Sequence, residues 1–328
     1  MKRSHPWANR LRSGGRRRRV ILAAAGVVIL AMTAFGVGSS VSGPPAPIYG
    51  PGPAPIAPFS LGQLPSRWKN PEPWAGQPPA LMVATVATDP LGTTAYLAWF
   101  RVERTEVGLY PGSRTPAPSA AARGPESVPT TGRNRLIALF NGGFYPQDAP
   151  AGFFTHHTLY HPMINGLATL VTTTSGSVDV VAWRGGRHPS AKVAVARQNL
   201  QLLVDNGRAT FPTNEPSLWG PTLHGAPAVW RSGVGVDAHG NLIYVAAPNQ
   251  TAASLAQIFV HAHAIRAMEL DINPAWPTLV LFRGPGARGL QLFDQNPSAW
   301  STRYFSVGEK DFFGVYLRTR PGVATPPF

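Results

Sequence analysis

The chain predicts an α+β fold: a mixed, largely antiparallel sheet domain with one strong late helix. Three observations carry this. From residue 81 onward the text is a series of short apolar or alternating runs separated by Gly, Asn, Asp and Ser, the pattern of strands and hairpins. Only 251–265 repeats apolar residues at helical spacing, through Leu255, Ile258, Phe259, Ala262 and Ile265. Strands and helices do not alternate, which argues against a parallel βαβ sheet.

Ahead of that domain the composition changes twice. The 328 residues carry a net charge of +14. Eight of those charges, Lys2, Arg3, Arg10, Arg12 and Arg16 through Arg19, lie in the first nineteen residues with no acid among them. Residues 20–38 then run without a charge, near the length an α-helix needs to cross a bilayer. Basic residues before the apolar run and none soon after keep the amino terminus in the cytoplasm. The expectation is a basic cytoplasmic tail at 1–19, a transmembrane anchor or cleavable signal segment at 20–38, and an extracytoplasmic remainder at the plasma membrane. A basic tail beside an apolar run has the membrane as its partner and gives no reason to invoke nucleic acid. Residues 39–79 contain the twelve prolines between 43 and 79 and read as a Pro-rich linker, a semi-rigid extended spacer. Trp68 and Trp74 near its end would dock it on the domain, 80–328. The absence of cysteine excludes disulfides, thiolate metal sites and a cysteine nucleophile.

Within the domain, 81–88 and 93–104 predict strands, and 111–133 a long loop. Residues 135–140 predict a strand leading into Asn141-Gly142-Gly143-Phe144. Residues 167–174 and 177–183 predict a hairpin around Ser175-Gly176, and 192–204 a strand region ended by Asp205-Asn206-Gly207. A second hairpin joins 229–237 to 241–247. Thr251 is a good N-cap for the helix, which feeds straight into the strand that opens the 266–276 stretch. Residues 278–282 and 312–318 close the series.

The 266–276 stretch organises the candidate chemistry. Met268, Leu270 and Ile272 alternate with Glu269, Asp271 and Asn273, so the polar three share one face of a strand that Pro274 ends. Alternate Cα atoms lie about 6.5–7 Å apart. Glu269 and Asp271 could therefore divide acid and base work at a glycosidic bond, where carboxyl groups stand about 5–9.5 Å apart. The alternative is a solvated strand edge. Asn141, Gly142 and Gly143 offer a backbone that approaches a ligand closely, or simply a turn. Arg231, entering the Gly-bearing run 232–236, offers a planar fork to phosphate. His156, in the cluster with His157 and His161, is a candidate acid, base or sugar donor. His261 and His263 are structural, with His261 facing solvent. No Gly-Lys-Ser/Thr follows the glycines and no His-Glu-x-x-His occurs. No cofactor is expected, with a divalent ion at the two carboxylates left open.

Four segments together resemble the phosphodiester glycosidase family: Asn141 through Phe144, Gln198-Asn199-Leu200 through Gly207, Arg231 through Leu242, and the helix followed by Glu269-Leu270-Asp271. The resemblance covers roughly 135–318. It implies hydrolysis of a sugar-1-phosphodiester, a carbohydrate or glycan-phosphate ligand, and a site holding Asn141, Arg231 and Asp271. After Asp271 the chain departs from the family's glycine-rich loop and reads Ile272-Asn273-Pro274-Ala275-Trp276. Two functions follow. One is an anchored hydrolase acting on a surface glycan or teichoic-type polymer, with Arg231 on phosphate, Asn141 orienting the sugar and Asn273, Trp276 and His156 lining the site. The other is a non-catalytic cell-wall glycan-binding or assembly module on the same fold, with Trp276 stacked on a sugar ring.

Overall fold

The computed structural model describes residues 49–60, 63–88, 93–116, 124–210, 226, 228–293 and 303–319. Their strands, in chain order, are β1 (Leu81–Ala87), β2 (Thr94–Phe100), β3 (Thr105–Tyr110), β4 (Leu136–Asn141), β5 (Phe153–Thr155), β6 (Thr158–His161), β7 (Ala168–Thr173) and β8 (Val178–Ala182). There follow β9 (Val193–Gln198), β10 (Leu202–Asp205), β11 (Arg208–Ala209), β12 (Val229–Val236), β13 (Leu242–Gln250), β14 (Arg266–Glu269), β15 (Leu279–Leu281), β16 (Leu290–Gln291) and β17 (Phe312–Leu317). They form three antiparallel sheets, ordered β1-β2-β13-β12-β14-β10-β11, β16-β15-β4-β17-β3 and β6-β5-β9-β7-β8. With one α-helix among the described residues, the fold is mostly β, which corrects the α+β expectation. That helix, α1 (Ala252–His261), covers one face of the first sheet and builds no layer of its own.

The helix starts where its cap predicts. Thr251 Oγ1 accepts from Ser254 N at 3.1 Å and Ser254 Oγ from Thr251 N at 2.9 Å, satisfying two orphan amides. It stops at His261, and His263 turns left-handed at φ 62°, so Ile265 lies outside it. Leu255, Ile258 and Phe259 bury against Leu97, Val245 and Ala267, at about 1.5–3 kcal/mol for each large side chain. Close approach depends on Gly233: a Cβ there would lie 2.6 Å from Met268 O and 2.9 Å from the Phe259 ring. The sheet's other face, with Val234, Tyr244 and Met268, meets Phe140 and Phe313 of the second sheet and Leu170 and Val180 of the third in the main core. Strand β13 shows why: Leu242, Tyr244 and Ala246 face the main core, Ile243, Val245 and Ala247 the helix.

Several strands differ from expectation. The predicted run 93–104 breaks after Phe100, and Thr105 opens β3 in a different sheet. The run 192–204 divides between β9 in the third sheet and β10 in the first. Strands β5 and β6 fall in the histidine cluster, joined at His156 and His157 with φ 50° and 57°. Those are the angles of a two-residue hairpin turn usually marked by Asn-Gly. Residues 117–123 of the predicted long loop lie outside the described residues.

Residues 1–48, and with them the basic tail, the 20–38 segment and the first part of the linker, also lie outside. Among the described residues no helix is long and apolar enough to cross a membrane. The described part of the Pro-rich stretch, 49–60 and 63–79, lies along the domain. Ile56 is fully buried in the helix-side core and bridges Ser66, while Lys69 bridges Val83 beside β1. His261 Nδ1 donates to Ala57 O at 3.1 Å and its ring stacks on Phe59 at 4.0 Å, so His261 faces this strap and not solvent. His263 Nε2 donates to Pro55 O at 3.0 Å, Trp68 Nε1 to Ala54 O at 2.8 Å, and Arg101 Nη1 to Gly50 O at 2.5 Å. Proline removes amide donors, so the partner residues supply them. The Trp74 side chain lies outside the described residues.

Candidate functional site

Strand β14 ends at Glu269, five residues before Pro274, and the two carboxylates enter separate ion pairs. Glu269 lies opposite Gly233 in the register, on the helix side of the sheet. Its Oε1 accepts from Arg231 Nη1, whose Nε donates to Gln250 O at 2.9 Å. Arg231 is 3% exposed and Glu269 0%. Burial pushes the Glu269 carboxyl up to about 7 against the pull of Arg231. The expected phosphate ligand and the first of the expected catalytic carboxylates are thus held by one another inside the fold.

Asp271 lies past the strand end. Ser232 N donates to its backbone oxygen at 2.9 Å. Its Oδ1 accepts from Asn273 N at 2.9 Å and its Oδ2 from Lys310 Nζ at 2.7 Å. Burial raises the Asp271 carboxyl, and Lys310 is the strongest influence holding it down. Asn273 does not share a strand face with Asp271. Its Oδ1 accepts from Ala275 N at 3.0 Å, closing the turn that carries the chain to Trp276.

Asn141, at the end of β4, is buried and satisfied. Its Nδ2 donates to Gly142 O at 2.9 Å and Ser232 Oγ at 3.0 Å, and its Oδ1 accepts from Tyr244 OH at 2.8 Å. It ties the second sheet to the first; Ser232 passes the link to Asp271, whose amide donates to Ser232 Oγ at 3.2 Å. That work leaves the amide braced and not presented to a sugar. Gly142 and Gly143 avoid the left-handed region. They are small because space is short: a Cβ on Gly142 would lie 2.7 Å from Asp311 O and one on Gly143 3.0 Å from Arg197 Nη2.

The pair beneath them was not legible in the sequence. Arg197 Nε donates to Asp311 Oδ2 at 2.8 Å and Nη2 to Asp311 Oδ1 at 3.3 Å. Nη2 also donates to Phe144 O at 2.8 Å and Nη1 to Gln198 O at 2.5 Å. This fork fixes the Gly142–Phe144 backbone and, one residue before Asp311, the position of Lys310. Asn199, inside the resembling Gln198–Gly207 segment, donates to Glu269 O at 2.7 Å and Leu270 O at 2.9 Å. It holds the crossing between sheets against the end of β14.

Toward solvent, the Lys310 ammonium lies 4.1 Å from the Tyr145 ring centre and 5.5 Å from that of Trp276. The two rings meet edge to face at 6.0 Å. Arg303 stacks over Trp276 at 4.5 Å and donates to Ala275 O at 3.3 Å. Tyr145 OH donates to Glu309 Oε2 at 3.2 Å, and burial with that bond pushes the phenol up to about 12. Arg114 pairs with Glu309 at 3.4 Å and stands over Tyr145. Of the expected site residues, Asp271 and Trp276 meet here with Lys310. His156 instead lies in the β5–β6 turn, beside Gly124 and Tyr110, and burial lowers its imidazole to about 4, neutral at ordinary pH. Among the described residues no three His, Asp or Glu side chains are placed to hold a metal ion. An apolar cleft of about 280 Å³, lined by Pro146, Pro150, Met163 and Ile164, opens next to the Tyr145 loop.

No family model and no curated protein matches the chain. Among solved structures, it is similar to the zebrafish N-acetylglucosamine-1-phosphodiester α-N-acetylglucosaminidase catalytic domain auto-inhibited by its pro-peptide. The identity is 15%, over 81% of this chain and 87% of that one, with a TM-score of 0.47. It is also similar to a hypothetical protein from Synechocystis, at 14% identity over 78% of this chain and 64% of that one, with a TM-score of 0.46.

Lys310 and Asp311 carried one usable signal. They sit directly before an apolar strand in Glu309-Lys310-Asp311-Phe312-Phe313, where adjacent opposite charges at a strand mouth suggest partners elsewhere. Arg197 within β9 carried none beyond being a charge in an apolar run.

Proposed function

We propose that the domain hydrolyses sugar-1-phosphodiesters, with Asp271 as the reacting carboxylate and Lys310 as its charge partner. The observation that carries this is the Asp271–Lys310 pair lying beneath the Tyr145–Trp276 rings. A phosphate leaving group departs without a proton but requires a cation, and Lys310 supplies one. The water oxygen bonds the anomeric carbon as the carbon–oxygen bond to phosphate breaks, and the water proton goes to Asp271. A carboxyl raised by burial suits that base role. Aromatic rings beside the pair suit a sugar. The sequence resemblance supports the same chemistry and a surface glycan or teichoic-type polymer as substrate. Anchoring with the domain outside the cytoplasm is supported by the eight basic residues ahead of 20–38.

The second reading, a glycan-binding module without turnover, is favoured by one observation. Asp271 and Lys310 are only 2% and 6% exposed, under a loop with bulky residues where the family has glycines. Release of free sugar from a sugar-1-phosphate methyl diester separates the two. Catalysis by the intact chain that falls about 10²–10⁴-fold in a folded Asp271→Asn variant is the expected result. Unchanged turnover in that variant removes Asp271 from the mechanism, and absence of turnover in the wild type leaves the binding module.

A further inference from the structure

We infer that Arg303, held over Trp276, is the residue that reads the phosphate of a sugar phosphate ligand, the role the sequence gave to Arg231. The inference rests on the sugar-phosphodiester reading above and assigns its anion subsite. Arg231 is enclosed, with its guanidinium bonded to Gln250 O and Glu269. Lys310 is nearly enclosed and holds Asp271. Arg303 is the half-buried cation of the site, with its guanidinium carbon 4.5 Å from the Trp276 ring centre. Its one side-chain hydrogen bond among the described residues, Nη1 to Ala275 O at 3.3 Å, steadies the group and leaves donors on the other nitrogens. No carboxylate among the described residues pairs with it.

A guanidinium held over an indole and tethered to a backbone carbonyl is partly ordered in advance, so less ordering is left when its fork meets phosphate oxygens. Lys310 Nζ is 5.5 Å from the same ring. An anion arriving at Trp276 therefore meets two cations, while a neutral sugar finds use for neither. The same ring adjoins Tyr145, which places the phosphate contact beside the aromatic surface a sugar would cover.

The test is calorimetric binding to the full-length chain with glucose 1-phosphate as probe and glucose as neutral control, in wild type, Arg303→Ala and Arg303→Lys. Charge-assisted hydrogen bonds contribute about 1.5–3 kcal/mol, so Arg303→Ala should bind glucose 1-phosphate roughly 10–100-fold more weakly. Its binding of glucose should fall far less than its binding of glucose 1-phosphate, and Arg303→Lys should recover part of the loss. Equal binding of glucose 1-phosphate by wild type and Arg303→Ala overturns the inference. So does a wild type that does not prefer glucose 1-phosphate to glucose, or, if the alanine variant fails to fold, a lysine variant indistinguishable from wild type. Turnover of the methyl diester is measured on the same samples. Arg303-dependent binding without wild-type turnover ends the hydrolase reading and keeps this subsite. Wild-type turnover with Arg303-independent binding does the reverse.

Discussion

Lys310 donates to Asp271 Oδ2 at 2.7 Å and so joins the chain just after β14 to the chain just before β17. One sheet contributes the acid, another the base, and the bond fixes the junction.

That relationship sets the pH response of the site. Asp271 is pushed up by burial and held down chiefly by Lys310. In Lys310→Met the carboxyl must rise further, because the opposing charge is gone and the burial remains. The acid limb of kcat/KM for a sugar-1-phosphate diester should move to higher pH and the maximum should fall. A carboxyl-detected NMR titration of Asp271 gives the same answer without turnover. An unmoved titration in a folded Lys310→Met protein refutes the coupling.

Arg231 and Glu269 make a different prediction, one about stability. Removing Glu269 leaves the Arg231 charge enclosed and unpaired, and removing Arg231 leaves an enclosed carboxyl without its donor, which burial then drives to the neutral form. Arg231→Met and Glu269→Ala should each cost about 3–5 kcal/mol in urea unfolding. The double variant Arg231→Met with Glu269→Leu should lose much less than the sum, since both charges are gone. Additive losses would show that the pair is not coupled.

Gly142 tests the close approach under the site. A Cβ there would press on the Asp311 carboxylate and lie 2.7 Å from its backbone oxygen, and the Arg197 fork blocks retreat. Gly142→Ala should cost about 1–3 kcal/mol and displace Lys310. Gly308, only two residues before Lys310, has nothing within 4 Å of an added Cβ, so Gly308→Ala should stay within about 0.5 kcal/mol. Equal melting temperatures for both variants would contradict the crowding.

These relationships also show what the sequence could and could not disclose. The Thr251 cap, the helix face and the hairpins at Gly176 and Gly240 depend on neighbours in the chain and were legible. The break after Phe100 was not, because an unbroken apolar run gives no sign that it changes sheets. Alternation at 268–273 signalled a half-buried strand up to Pro274, but β14 stops at Glu269, and a period indicates faces and not partners. Arg231 and Glu269 find each other across 38 positions, and Arg197 and Asp311 across 114. Asp271 was singled out by the alternation of its segment and again by the resemblance to a family motif; Lys310 and Arg303 lie outside both. The path of the Pro-rich stretch was not legible for a related reason. Composition described its backbone as extended, which is compatible with lying along a domain as much as with standing off from it.

That strap yields the last prediction. Glu72 Oε1 accepts from Leu81 N at 2.8 Å, and Glu72 is 1% exposed where the strap enters β1. Burial raises its carboxyl from 4.5 to about 7. Between those two values the folded chain keeps a proton on Glu72 that the unfolded chain has released. The native state then binds more protons, so this group's contribution to stability is complete below about pH 4.5 and is lost as pH rises to about 7. The slope is at most about 1.4 kcal/mol per pH unit. Glu72→Gln keeps an oxygen for Leu81 N and removes the titration, so its stability relative to wild type should rise across that window. As a check on the strap itself, Ile56→Ala should cost about 2–5 kcal/mol from a position of 0% exposure. Deleting residues 1–79 should destabilise the domain strongly, whereas deleting 1–48 leaves every strap contact described above in place. If both truncations melt alike and Glu72→Gln tracks wild type at every pH, residues 49–79 are a linker after all.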